Sequence, residues 1–388
     1  MYDIIIIGSG AGGSAMAYKL ADSNKKILVI ERGDYVPLEK ENWDSIEVFE
    51  KNRYTTTDTW LDKDGKEFRP GMHYNVGGNT KFYGSALFRL REDDFGEIKH
   101  YGGISPAWPI TYKDLQPYYL EAEKLFCVHG LRGSDPTEPP ETQPYPLPPL
   151  PHEPRIKEVF DQLTTYGLHP FELPVGVNLN PHKTANSPYI LDRFDGFPDA
   201  AERKADAQTC ALSKALEHPN VELMTNAKVL KLIADESGQK ITGVLVDHLG
   251  EQITLEAGLF VLSAGAINSA ALLLDSANKN FPTGMANHSD QVGRNYMFHQ
   301  NTALIALYTE PNPTRFGKTF GINDFYRATR GYEFPLGHIQ MLGKSDEHQI
   351  SADSPVPAPG FTFEIMAKHA VDFWLTSEDL PDPDNRVT

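Results

Sequence analysis

Three glycines near the start of the chain have the spacing of a phosphate-binding turn. In GSGAGG (8–13), Gly8, Gly10 and Gly13 form GxGxxG. The first glycine permits a tight turn, the second lets backbone approach a pyrophosphate, and the third lets the following helix pack closely on the preceding strand. A helix opening at this point offers free N–H groups and a positive dipole end to phosphates. Glu31 follows eighteen residues after Gly13. A carboxylate at the end of the second strand can accept hydrogen bonds from both hydroxyls of an adenosine ribose, and it repels a 2′-phosphate. The chemistry implied is the binding of a dinucleotide without a 2′-phosphate. Glycine spacing alone is not specific, since a tight turn in an α/β protein needs no ligand; specificity comes from the elements on either side.

Those elements fit. DIIII (3–7) is a continuous apolar run, the pattern of a central parallel strand covered on both faces. SAMAYKLADS (14–23) has small and apolar residues at helical spacing, and KKILVIER (25–32) reads as a second buried strand. The first thirty residues are therefore expected to form a βαβ unit. Residues 34–70 read as loop and short helix. TYKDLQPYYLEAEKLF (111–126) reads as helix, with Thr111 and Asp114 as a capping box. Nine prolines between 134 and 154 predict an extended connector. QTCALSKALEH (208–218) reads as helix. NVELMTNAKVLKLIAD, KITGVLVDHLG and EQITLEAGLFVLSAG read as strands joined by turns at Gly238 and Gly250. Beyond about residue 300, TALIALY (302–308) and FTFEIMAKH (361–369) are strand-like, and Arg386-Val387-Thr388 reads as the start of a strand.

Composition narrows the functional classes. The 388 residues carry a formal net charge of −17, which repels phosphate backbones and anionic lipid, so nucleic acid and membrane surfaces are not expected partners. The longest uncharged run, AGLFVLSAGAINSAALLL (257–274), is interrupted by polar residues and reads as a buried strand followed by a buried helix. Cys127 and Cys210 form no CxxC, which excludes a disulfide framework and a cysteine-rich metal site. The thirteen histidines show no metal-binding spacing. The first residues lack a basic region and a cleavage site, so a cytoplasmic location is expected.

Four stretches resemble the glucose–methanol–choline (GMC) oxidoreductase family. They are DIIIIGSGAGGSAMAYKLA with LVIERG, then NVGGNTKFYGSALFRLREDDF, LFVLSAGAINSAALLLDSA and VGRNYMFH. AWPITYKDLQPYYLEAEKLF is also similar to that family. The resemblance implies an α/β fold, with a Rossmann-like FAD-binding domain and an interleaved antiparallel-sheet substrate domain. It implies oxidation of the CH–OH group of an alcohol, polyol or sugar-like substrate, with a hydride passed to the flavin and an unknown electron acceptor. Residues 1–110 and 205–300 would form the FAD domain, and residues 111–204 and 301–388 the substrate domain.

The implied roles follow residue by residue. Gly8, Gly10 and Gly13 would line the pyrophosphate and Glu31 the ribose. Gly77, Gly78, Asn79, Thr80 and Gly84 would run along the pyrophosphate and flavin ring. Val229 would meet adenine with its backbone, and Ala264 and Gly265 would pass close to the cofactor. Phe82 stands where some relatives link FAD through histidine, so non-covalent FAD is expected. Tyr83 replaces a frequent asparagine. SPYILDRFDGFPDA (187–200) lacks the cysteines that some relatives carry there. The family's catalytic histidine, paired with His or Asn, has no match after VGRNYMFH and is expected beyond Thr388, as in a C-terminally truncated member. No catalytic role is given to His299, His338 or His369, and His73 reads as a loop histidine. The alternatives are a non-catalytic FAD-binding or interaction subunit and an NAD-dependent dehydrogenase.

Overall fold

The computed structural model describes residues 1–179, 192–354 and 356–388. The first five residues of SPYILDRFDGFPDA lie outside the described residues. In chain order the elements used below are β1 (Tyr2–Ile7), α1 (Ala11–Leu20), β2 (Ile27–Ile30), α2 (Tyr112–Leu125), α3 (Pro154–Thr165) and β3 (Pro170–Glu172). There follow β4 (Val221–Met224), β5 (Ala227–Ala234), β6 (Ile241–His248), β7 (Glu251–Leu262), α4 (Ala266–Asp275) and β8 (Gln300–Leu307). The last are β9 (Phe320–Ile322), β10 (His338–Met341), α5 (Glu347–Asp353), α6 (Phe363–His369) and β11 (Ala370–Ser377).

The isoleucine run of β1 explains the first sheet. Successive strand side chains point to opposite faces, so a strand covered on both sides must be apolar throughout. Ile5 and Ile7 pack with Leu28, Ile30, Val244, Val246 and Leu272 on one face. Ile4 and Ile6 pack with Ala17, Ala21, Val29, Leu212 and Ala215 on the other. Each fully buried side chain of this size contributes about 1.5–3 kcal/mol. The strand order is β4-β2-β1-β7-β6-β5. Strands β4, β2, β1 and β7 run parallel, and β5, β6 and β7 form an antiparallel meander. Strand β7 serves both halves: residues 251–256 pair with β6 and residues 257–262 with β1.

A second, antiparallel sheet has the order β8-β11-β10-β9-β3. Helix α3 covers one face of it, with Ile156 and Val159 packed among Phe320, Ile322, Met341 and Val371. The architecture is therefore mixed α and β, a Rossmann-like sheet beside an antiparallel one, as the sequence leads one to expect. No described helix is long and apolar enough to cross a membrane, and the described residues hold no cluster of metal ligands.

Several local readings need correction. NVELMTNAKVLKLIAD is two strands, not one. The chain breaks at Asn226, which has a left-handed φ of 53° and donates its backbone N–H to Gly33 O at 2.9 Å. Strands β4 and β5 consequently lie at opposite edges of the sheet. FTFEIMAKH yields helix α6, because Thr362 caps it by accepting from Ile365 N at 3.2 Å while Met366 and Ala367 turn inward. The Arg386–Thr388 segment pairs with a loop instead of forming a strand: Val387 N donates to Gly293 O at 2.9 Å. Along β7 and α4, Leu259 is 53% exposed, and Leu272 is the one buried helix residue. The capping box of α2 forms as expected, with Thr111 N and Oγ1 each 2.8 Å from Asp114 Oδ2.

Charged groups are buried where the sheets and the loop 77–84 meet. Lys81 Nζ donates to Asp206 Oδ2 at 2.9 Å, and both side chains are almost fully buried. Lys318 Nζ donates to Asp195 Oδ1 at 2.5 Å. Removing one partner of such a pair leaves an uncompensated buried charge. Lys81→Met is therefore expected to lower unfolding free energy by about 3–5 kcal/mol in denaturant titration. Asp372, buried on β11, behaves differently. Burial pushes its carboxyl up from 3.8 to about 6, against the pull of Lys344 and with the repulsion of Asp195. Between these values the folded chain binds the proton that the unfolded chain has released, so this group makes stability fall as pH rises through that interval. Asp372→Asn is expected to remove that slope and to raise the unfolding midpoint at neutral pH, as thermal scans across the interval would show.

Candidate cofactor site

A large cleft opens where the carboxyl ends of β1, β2 and β7 meet the N-terminal ends of α1 and α4, and it encloses about 800 Å³. That lies in the usual range for small-molecule and cofactor sites, about 300–1,000 Å³. Its position is dictated by glycine. Gly8 has φ +100°, and an added Cβ would stand 2.4 Å from Ser263 O, so the turn after β1 can lie against the end of β7 only without a side chain. Gly33 is equally constrained. Its Cβ would stand 1.6 Å from Tyr74 O, so the chain after β2 and the segment 74–75 run in backbone contact. That contact delivers Gly77 and Gly78 to the glycine turn, and an added Cβ on Gly78 would meet Gly10 Cα at 3.1 Å.

Of the residues singled out from sequence, Gly8, Gly10, Glu31, Gly78, Asn79, Thr80, Val229, Ala264 and Gly265 line this cleft. Gly13, Gly77 and Gly84 do not. The missing Cβ of Gly13 would stand 1.9 Å from Gly8 O, so this glycine packs the helix on the turn. Gly77 faces Gln208 and Lys81, and Gly84 sits against the Asp195–Lys318 pair. Gly13 thus has the helix-packing role its place in the motif predicts, while Gly77 and Gly84 serve close packing behind the cleft wall instead of lining it.

Two features suit an anionic ligand. Helices α1 and α4 both begin at glycines on the cleft, Gly10 and Gly265, so two sets of free backbone N–H groups converge there. Gly10 has ordinary backbone angles, φ −69° and ψ −165°, and its missing Cβ would meet no protein atom within 4 Å. Nothing in the protein itself demands glycine at this position; the bare backbone faces open cleft. At the far end, Glu31 is 6% exposed. Its Oε2 accepts from Ser9 N at 3.0 Å and Ser9 Oγ at 2.5 Å, and its Oε1 accepts from Gly33 N at 3.1 Å.

Several lining residues were not anticipated. Arg32 donates to Asp58 at 2.7 Å and lies 3.9 Å over the ring of Tyr74. Tyr74 Oη is buried without a hydrogen bond of normal geometry, and its residue lines the cleft. His73, read as a loop histidine, also lines it. Its ring stacks on Phe82 at 3.6 Å, and its Nδ1 lies 3.0 Å from Tyr54 O. Burial holds the imidazole below its ordinary value, so it is neutral at pH 7. The available signal was adjacency: Arg32 follows Glu31, and Tyr74 precedes the paired glycines by three residues. His299, His338 and His369 are not on the cleft. His299 is a surface residue, His338 is half-buried beside Asn323, and His369 is hydrogen-bonded to Tyr308 O.

Comparison with known proteins places this cleft in a family. Residues 191–301 match the family described as "GMC oxidoreductase", and residues 6–37 match an NAD(P)-binding Rossmann-like domain. The chain is 32% identical over 309 residues to the 6'''-hydroxyparomomycin C oxidase of Streptomyces lividus, a match covering 76% of this chain and 54% of that protein. It is 28% identical to the paromamine 6'-oxidase of Streptomyces fradiae, covering 94% of this chain and 63% of that protein. The chain thus spans little more than half to under two thirds of the length of these relatives. Among solved structures, pyridoxine 4-oxidase from "Mesorbium loti" superposes with a TM-score of 0.63 at 16% identity, covering 99% of this chain and 76% of that one. A formate oxidase from Aspergillus oryzae superposes with a TM-score of 0.61 at 14% identity, covering 99% and 76%. With the glycine turn, the paired glycines and the β7–α4 junction meeting around one cleft, the chain belongs to the GMC oxidoreductase family.

Proposed function

We propose that the cleft holds FAD non-covalently and that the protein is an FAD-dependent oxidoreductase acting on the CH–OH group of a polyol or sugar-like alcohol. The observation that carries this reading is the bare backbone at Gly10, which leaves room for a pyrophosphate between the N-terminal ends of two helices. Gly8, Gly10 and Gly78 would meet the pyrophosphate with main chain. Glu31 would accept from the adenosine ribose, and Val229 would meet adenine. Asn79, Thr80, Ala264 and Gly265 would bound the rest of the dinucleotide.

When bound, FAD supplies the two-electron acceptor for a hydride leaving the carbinol carbon. The chain's own residues bind and orient it, and those behind the wall keep the cleft rigid. The hydroxyl proton needs a base with a pKa near neutrality. A histidine is the group the family resemblance implies for that step. Residues 1–110 and 205–300 would form the cofactor domain, and residues 111–204 and 301–388 the substrate domain. The sugar-like substrate class rests on relatives named for oxidising paromamine and fructose. A second reading is a non-catalytic FAD-binding subunit. It is favoured by the cleft's histidine, His73, being engaged with Tyr54 O and Phe82.

A purified protein with a visible flavin absorption that bleaches on adding a sugar alcohol is the outcome expected. A colourless protein that binds NAD would overturn the assignment, and a yellow protein inert to every alcohol would favour the second reading. Gly10→Val is expected to abolish FAD retention with an unchanged unfolding midpoint for the apoprotein, because the new side chain enters open cleft. Glu31→Ala is expected to weaken FAD binding about ten- to a hundredfold, the range for losing a hydrogen bond to a charged group. Fluorescence titration of the apoprotein would measure both.

A further inference from the structure

Ser9 is the variable residue between the first two glycines of the turn, and it is fully buried. Every polar atom it owns is engaged. Its N–H donates to Glu31 Oε2 at 3.0 Å, and its hydroxyl donates to the same oxygen at 2.5 Å. The hydroxyl oxygen accepts from Gly77 N at 3.2 Å. The carbonyl accepts from Ser14 Oγ at 2.6 Å. One side chain therefore ties together the phosphate-binding turn, the carboxylate at the end of β2, and the paired-glycine loop.

The consequence falls on Glu31. An ionised carboxylate has about four lone-pair sites, two on each oxygen. Ser9 fills both on Oε2, and Gly33 N–H fills one on Oε1 at 3.1 Å. One acceptor site is left, on Oε1. The sequence reading, in which the carboxylate accepts from both ribose hydroxyls, does not hold for this geometry.

We propose that Ser9 is a positioning residue for the dinucleotide. It clamps Glu31 through Oε2 so that Oε1 presents a single, oriented acceptor to one adenosine ribose hydroxyl, and it docks Gly77 beside the turn in the same step. This inference rests on the FAD reading proposed above. It predicts that Ser9 contributes to cofactor affinity through Glu31, not through general packing. A hydroxyl at this position also explains why the loop 77–84 registers against the turn: Gly77 N–H would otherwise be a buried donor without a partner.

The test is a double-mutant cycle on FAD affinity, measured by titrating apoprotein and following flavin fluorescence. The variants are Ser9→Ala, Glu31→Ala and the double variant, with thermal unfolding of each apoprotein as a folding control. Ser9→Ala is expected to weaken FAD binding about tenfold (about 1.4 kcal/mol) in the wild-type background. In the Glu31→Ala background it is expected to weaken affinity by no more than about threefold, the part carried by the Gly77 contact. An equal loss in both backgrounds, or no loss in the wild-type background, overturns the positioning role. If Ser9→Ala does not unfold cooperatively, Ser9→Gly replaces it in the same cycle, since glycine keeps the N–H donor to Glu31 while removing the side chain. Wild-type apoprotein that fails to bind FAD at all sinks the underlying cofactor reading, a result distinct from either outcome of the cycle.

Discussion

The close approach of bare backbone at the carboxyl end of β1 is the constraint on which the rest of the structure depends. Gly8 lies against the end of β7, Gly13 lies on Gly8, and Gly78 lies over Gly10. A methyl group at Gly8 or Gly13 would force strand and helix apart, since the nearest backbone oxygens would stand well inside van der Waals contact. The parallel strands β2, β1 and β7 therefore end together, and α1 and α4 start together. Two helix N-termini can share one anionic ligand only if the strands before them finish at the same level.

Polar groups then fix what glycine brings close. Glu31 and Ser9 join the ends of β1 and β2, while Arg32, Asp58 and Tyr74 form a charged and aromatic wall beside them. Behind the loop 77–84, the Lys81–Asp206 pair ties the loop to the segment before residues 208–212, and Lys318, just before β9, pairs with Asp195. Buried ion pairs of this kind give little net stability against an apolar replacement, but they penalise any arrangement that separates the partners. Their value here is registration of the loop, which Gly84 supports by leaving space for the Asp195–Lys318 contact.

Much of this was legible in the residues. The isoleucines of β1 alternate between two cores, and a continuous apolar run is the only pattern that satisfies both. The capping box of Thr111 and Asp114 depends on residues three apart, so it is a local property and forms as expected. The misread segments are those whose fate depends on distant partners. NVELMTNAKVLKLIAD has the apolar content of one strand, yet Asn226 turns it where Gly33 and Asp34 offer hydrogen bonds. FTFEIMAKH has strand-like composition, and its Thr362 cap together with inward packing of Met366 and Ala367 decides for helix.

At the site the division is sharper. Sequence alone determined the glycine turn, the acidic residue at the end of β2 and the family, because each is a short-range pattern of residue type and spacing. Only the tertiary structure decided which glycines face the cleft and which pack behind it. Gly10 and Gly13 are three residues apart and chemically identical, yet one meets open space and the other a carbonyl oxygen. It also decided that Glu31 keeps one free acceptor and that His73 and Tyr74 reach the cleft. The Ser9 contacts to Glu31 and Gly77 join segments 22 and 68 residues apart, a separation over which spacing along the chain carries no information about direction in space.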